Sequence, residues 1–187
     1  VLAVVLIVVA ILVLLFVVFY NKLVRLRNRA DEAWAQIDVQ LRRRYDLIPN
    51  LVETVKGYAA HERQTLEAVT QARGAAQSLN ASGATPGQIA QAEGTLTTAL
   101  RGLLAVSEAY PDLKANQNFL ALQEELTTTE NKISFARQHY NDSVRQVNTA
   151  VETIPTSFIA PFAHVTKREY FEIEGDDAAR NPVQVQF

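Results

Sequence analysis

The hydrophobic pattern changes its rule near residue 20. Residues 1–19 contain only Val, Leu, Ile, Ala and Phe, with no polar, charged, Gly or Pro residue. At 1.5 Å rise per residue, such a helix spans roughly 28–30 Å, about one bilayer hydrocarbon core. A buried core helix would still carry a polar face, and this run has none. A cleaved signal peptide has a shorter apolar region and a small-residue cleavage site. This run closes instead on Phe16-Val17-Val18-Phe19-Tyr20. The pattern predicts a transmembrane anchor over 1–21, with Tyr20 at the depth where interfacial aromatic rings settle.

Beyond the anchor the apolar spacing becomes three to four, the period of an amphipathic helix. Leu23, Leu26, Ala30, Trp34, Ile37, Leu41, Tyr45 and Ile48 form one stripe. A similar stripe runs through Leu51 or Val52, Val55, Tyr58, Leu66, Val69 and Ala76, interrupted at Glu62. Pro49 lies between the halves, where it removes a backbone donor and crowds the carbonyl four residues back. No Gly or Asn-Gly turn accompanies it, so one long kinked helix is the preferred reading. A tight helix–helix corner at 46–50 is the alternative. Residues 78–87 form a loop by composition. Residues 88–109 make a second helix, weakened by Gly94 and Gly102. Pro111 suits the first turn of the next one. The third helix has the clearest seam: Phe119, Leu122, Leu126, Thr129, Ile133, Ala136, Tyr140, Val144, Val147 and Val151. Such heptad-like spacing packs helices at shallow angles. Ile154-Pro155-Thr156-Ser157 ends it. Val183, Val185 and Phe187 alternate with Gln184 and Gln186, as in a half-buried strand. The tail is expected to lie along the bundle, with addition to a neighbour's sheet edge as the alternative. The fold class is thus all-α: an N-terminal transmembrane helix, an antiparallel bundle of long helices over 22–153, and an irregular or short-strand tail over 154–187.

Charge adds orientation. Lys22, Arg25, Arg27 and Arg29 follow the span before any acid, the first being Asp31. The positive-inside rule places the bundle in the cytoplasm. With Tyr20, these four are the expected lipid-headgroup contacts. The net charge of −2 argues against nucleic acid as a partner. Cysteine is absent, which excludes disulfides and thiolate metal sites. Methionine is also absent, even at position 1, so the natural chain is expected to begin before Val1.

Chemistry is hard to find. His61-Glu62 resembles half of a zinc-protease motif, but Thr65 occupies the place of the second His. His139 and His164 stand alone in the sequence. No phosphate loop or nucleophile elbow occurs. No catalytic residue, metal site or cofactor is expected, and the chain reads as a non-enzyme. Two polar clusters stand out. One holds Arg42, Arg43, Arg44, Tyr45, Asp46 and Asn50. The other holds Glu130, Asn131, Arg137, Tyr140 and Asn141 on the third helix. They either meet as a hydrogen-bonded network that fixes helix register or present a face to a partner.

These clusters also carry a resemblance. Tyr20-Asn21-Lys22-Leu23-Val24-Arg25-Leu26-Arg27-Asn28-Arg29, Ala33-Trp34-Ala35-Gln36-Ile37-Asp38 and Arg43-Arg44-Tyr45-Asp46-Leu47-Ile48-Pro49-Asn50 are similar to the LemA family. So are Tyr110-Pro111-Asp112-Leu113-Lys114-Ala115-Asn116, Glu130-Asn131-Lys132-Ile133, Arg137 and Tyr140-Asn141. The resemblance implies a single-pass protein of the bacterial inner membrane with a cytoplasmic bundle of antiparallel helices. No enzymatic activity is established for that family. Its members are commonly encoded near a membrane metalloprotease of the HtpX type or TPM-domain proteins, which makes these candidate partners. Two functions then compete. One is a membrane-anchored scaffold or adaptor that forms a homo-oligomer or holds envelope proteins. The other is a membrane-shaping protein that packs into ordered assemblies on lipid.

Overall fold

The computed structural model describes residues 1–173. Six helices occur among them and no strand: α1 (Leu2–Tyr58), α2 (Arg63–Ala81), α3 (Pro86–Glu108), α4 (Pro111–Lys114), α5 (Gln117–Glu152) and α6 (Thr156–Ile159). The protein is therefore all-α, as the periodicity predicts. The alternating segment at Val183, Val185 and Phe187 lies outside the described residues.

Pro49 neither ends α1 nor turns the chain. Its missing N–H would have bonded the Tyr45 carbonyl one turn back. That carbonyl instead accepts from Arg73 Nε of α2 at 2.7 Å. A neighbouring helix thus supplies the donor that proline lacks. The corner comes later, at 59–62, where the Ala59 N–H bonds Val55 O and the Glu62 N–H bonds Ala59 O. The single kinked helix expected across both stripes is therefore two helices, and the break falls where Glu62 interrupts the apolar spacing, not at Pro49.

Contacts divide the described chain into two compact units. The second comprises Asp38–Phe135 and the described residues from Phe171. In it, α2 runs antiparallel to α1, tied by Arg73 to Tyr45 O and by Asn80 Nδ2 to Asp38 Oδ1 at 2.7 Å. Gly83, at φ 71°, makes the turn out of α2 in a conformation that side chains disfavour. Thr85 then caps α3 in a capping box with Gln88, and Pro86 occupies the first turn. Asn116 caps α5 by accepting from the Phe119 N–H at 3.0 Å. The predicted stripe positions Leu41, Ile48, Leu66, Val69, Phe119, Leu126 and Ile133 are all buried. Full burial of such a side chain contributes about 1.5–3 kcal/mol over leaving it exposed.

The first unit comprises Val1–Ile37 and Ala136–Tyr170. Its core joins Leu23 and Ala30 of α1 to Val147 and Ala150 of α5 and to Ile159, Ala160, Ala163 and Val165. Phe19, Tyr20 and Leu26 pack around this cluster. Trp34 meets Tyr140 with ring centroids 5.1 Å apart, and the Tyr140 hydroxyl donates to Glu169 O at 3.0 Å. After α6 the chain turns over 160–164 and then, without regular structure, is held against α5. Asn148 holds it by both ends of its amide: Oδ1 accepts the Arg168 N–H at 2.8 Å, and Nδ2 donates to Arg168 O at 3.0 Å. Arg168 also pairs with Asp31 at 2.7 Å.

Candidate functional site

The densest polar chemistry is a buried ionic cluster in the second unit. Arg44 of α1 and Glu93 of α3 are 1% and 0% exposed. Their Nη1–Oε2 distance is 2.7 Å. Arg44 Nη2 donates to Thr97 Oγ1 at 2.8 Å. The Tyr45 hydroxyl donates to the other Glu93 oxygen. Arg44 Nε lies 2.8 Å from Glu130 Oε1 of α5, which is an ion-pair distance. Its N–H is not aimed at that oxygen, so the contact is electrostatic and no hydrogen bond forms at Nε. Three side chains from α3 and α5 thus meet one guanidinium of α1, and Tyr45 braces Glu93 from the other side.

Burial sets the electrostatics. It pushes the Glu93 carboxyl above its ordinary range, while the Arg44 guanidinium and Tyr45 hydroxyl pull it back. Burial also raises the Tyr45 hydroxyl far above its usual value, and the Glu93 charge adds to that. A buried charge without a partner is very costly, whereas a fully met one fixes a single register. The cluster contains no Ser, Cys or His nucleophile. Its chemistry is that of a pin that admits one alignment of α1, α3 and α5 in this unit.

The residues singled out in the sequence are distributed as follows. Arg44, Tyr45 and Glu130 join the pin. Arg43 pairs with Glu125 of α5 at 2.7 Å, with both side chains about half exposed, and such a surface pair is worth about 0–1 kcal/mol. Arg42 pairs with Asp38 one turn back. Asp46, Asn50 and Asn131 are exposed. The Asn50 carbonyl accepts from Thr54 Oγ1. Arg137, Tyr140 and Asn141 belong to the first unit. There Tyr140 is buried against Trp34, and Arg137 and Asn141 are half-buried. Burial raises the Tyr140 hydroxyl as well, with Glu169 and Asp31 adding to it against Arg168. Glu93, Thr97, Arg73 and Asn148 went unnoticed in the sequence.

The basic residues after the apolar run differ in their freedom. Lys22 and Arg25 are exposed. Arg27 Nη1 donates to Ala163 O at 3.2 Å, and Arg29 reaches Gln146 Oε1 at 3.5 Å. Tyr20 is half-buried in the first unit's core. Residues 1–18 are exposed throughout, and the apolar run meets the rest of the first unit only at its end, through Phe16 and Phe19. By length and composition that run can cross a membrane. His61, His139 and His164 are all exposed. Among the described residues, no three His, Asp or Glu side chains converge as a metal-binding group.

Similarity to known proteins agrees with this picture. The chain is 26% identical over 141 residues to Protein LemA of Metamycoplasma hominis, covering 75% of this chain and 63% of that protein. It is 23% identical over 174 residues to Magnetosome protein MamQ of Magnetospirillum gryphiswaldense, covering 81% and 64%. Against Magnetosome protein MamQ 1 of Paramagnetospirillum magneticum it is 23% identical over 175 residues, covering 82% and 64%. The chain spans a little under two thirds of the length of these relatives. With these relatives, the apolar helix is compatible with a membrane-associated helical protein. The LemA family pattern matches residues 33–187, and the chain belongs to that family.

Proposed function

We propose that the protein is a single-pass membrane scaffold or adaptor. Its apolar N-terminal stretch anchors it in the bacterial inner membrane, and its helices engage other proteins or further copies from the cytoplasmic side. One observation carries the reading. Every residue of 1–18 is exposed, yet α1 continues without a break from that stretch into tightly packed core. An uncovered apolar helix of this length is stable in lipid and costly in water. On the second unit, Val39, Leu120 and Phe135 are exposed apolar side chains that would be available to a partner. That some relatives are named for a cellular structure, the magnetosome, and not for a reaction supports the scaffold role. A membrane metalloprotease of the HtpX type, a TPM-domain protein or a second copy are the partners to seek, and catalysis by this chain is not part of the reading.

The test is crosslinking in native membranes, followed by mild-detergent purification and imaging of the particles. Discrete oligomers or a defined co-purifying envelope protein are expected. A strictly monomeric species without a crosslinked neighbour would sink the proposal. A second reading, in which many copies grip anionic lipid and shape the membrane, is favoured by exposed Lys22 and Arg25 beside the apolar run. Each basic residue near such a surface contributes about 1 kcal/mol. Ordered arrays or altered vesicle curvature in liposomes would select it.

A further inference from the structure

The segment after α5 is two-faced. Residues 153–163 carry no charged side chain. One side of the segment faces inward, where Ile159, Ala160 and Ala163 enter the first unit's core with Leu23. The other side presents Ile154, Phe158 and Phe162, which are 76%, 69% and 67% exposed. Three large apolar side chains on one short uncharged segment are unusual on a surface that faces only water.

Their neighbour identifies what covers them. The Phe162 ring stands 6.0 Å from the Phe16 ring, edge to face at 73°. Phe16 belongs to the apolar run, five positions before Asn21. At 1.5 Å per residue it lies about 7–8 Å on the hydrocarbon side of that polar boundary. A ring in contact with Phe16 shares its depth, within the 5–10 Å that interfacial elements occupy.

Part of the backbone is bonded within the segment. Within the segment, the N–H groups of Ser157, Phe158, Ala160, Phe162 and Ala163 all bond carbonyls of the same segment. Pro155 and Pro161 have no N–H to satisfy, and Thr156 Oγ1 donates to Thr153 O. Each bond made within the segment is one fewer polar group left to water. Arg27, bonded to Ala163 O, marks the polar edge.

We propose that residues 154–162 form a second membrane-contacting element, a wedge in the headgroup–acyl boundary beside the anchor with Phe158 and Phe162 in lipid. The proposal rests on the single-pass reading above. Attachment at two points would fix how the first unit is rotated against the bilayer, which one helix alone leaves free.

The absence of cysteine makes the test direct. Full-length protein carrying Phe158→Cys, Phe162→Cys, Leu12→Cys or Ser82→Cys is labelled with an environment-sensitive fluorophore. Each is reconstituted in phosphatidylethanolamine–phosphatidylglycerol vesicles. Quenching by lipid spin-labelled near the headgroup is compared with quenching by aqueous iodide. Because Phe158 and Phe162 are exposed, replacing them leaves the core intact. Positions 158 and 162 are expected to be quenched by the lipid label severalfold more than position 82, and shielded from iodide. If iodide reaches them as it reaches position 82 while position 12 responds to lipid, the wedge is wrong and the anchor stands. Shielding from both quenchers, with position 12 still lipid-quenched, would also overturn the wedge and assign the face to another protein molecule. Failure of position 12 to respond to lipid would overturn the anchor and the wedge together.

Discussion

Arg44 and Glu93 should respond differently to losing each other, because only one of them can shed its charge. Glu93→Gln leaves a guanidinium that cannot deprotonate, 1% exposed, with Glu130 as its remaining counter-ion. Breaking a buried pair this way costs about 3–5 kcal/mol. Arg44→Met leaves a buried carboxylate that can instead take up a proton. Burial already raises this group with Arg44 present, and removing Arg44 removes the main opposing influence. From an ordinary value of 4.5, neutralisation at pH 7 costs about 3.4 kcal/mol, which caps the ionisation part of the loss. The sign follows from linkage. A carboxyl raised in the fold contributes stability fully present below its unfolded pKa and lost as pH climbs toward its folded value. Between pH 5 and pH 7, Arg44→Met should therefore lose up to about 2–3 kcal/mol more than Glu93→Gln. Urea unfolding of the full chain in mild detergent, followed by far-ultraviolet circular dichroism at both pH values, measures this. Replacing both residues, Arg44→Met with Glu93→Leu, should recover part of the loss, since no buried charge is stranded although the Tyr45 hydroxyl loses its acceptor. Equal pH slopes for the two single variants would refute the picture of a desolvated pair.

Two further outcomes are expected. Arg73→Met strands the Tyr45 carbonyl and should cost about 1–3 kcal/mol. Adding Pro49→Ala should restore more stability in that background than in the wild type, because residue 49 regains an N–H for the same carbonyl; strict additivity in a double-mutant cycle counts against the contact. At alkaline pH, Tyr45 and Tyr140 hold their protons in the fold above the ordinary value of 10, whereas the unfolded chain releases them. Stability is then intact below pH 10 and falls above it, by up to about 1.4 kcal/mol per pH unit for each tyrosine. Thermal midpoints from pH 9 to 11 should show this loss, and it should shrink in Tyr140→Phe.

Much of the fold is legible because burial follows helical spacing. The seam from Phe119 to Val147 and the stripe from Leu23 to Ile48 are core or half-buried positions, as their periodicity requires. The corner was less legible. Pro49 draws attention as a helix breaker, but the helix survives because a guanidinium distant in sequence replaces the missing donor, and no local rule contains that. The pin was half legible. In the run Arg42-Arg43-Arg44, only Arg44 falls on the stripe side with Tyr45, Leu41 and Ile48. Its main partner was overlooked, although the signal existed. Glu93 lies in register with Ile89, Leu96, Leu100 and Leu103, a charge on an apolar stripe. Which helices meet depends on packing between distant segments, and a single sequence does not record that.

The arginine at position 73 has a consequence for the order in which the chain acquires structure. During synthesis, Pro49 leaves the ribosome well before residue 73, so the turn around Tyr45 first exists without its donor. The Tyr45 carbonyl gains this donor only once α2 has been made and laid alongside. The nascent protein thus carries a built-in soft point, and the arrival of its second helix stiffens it.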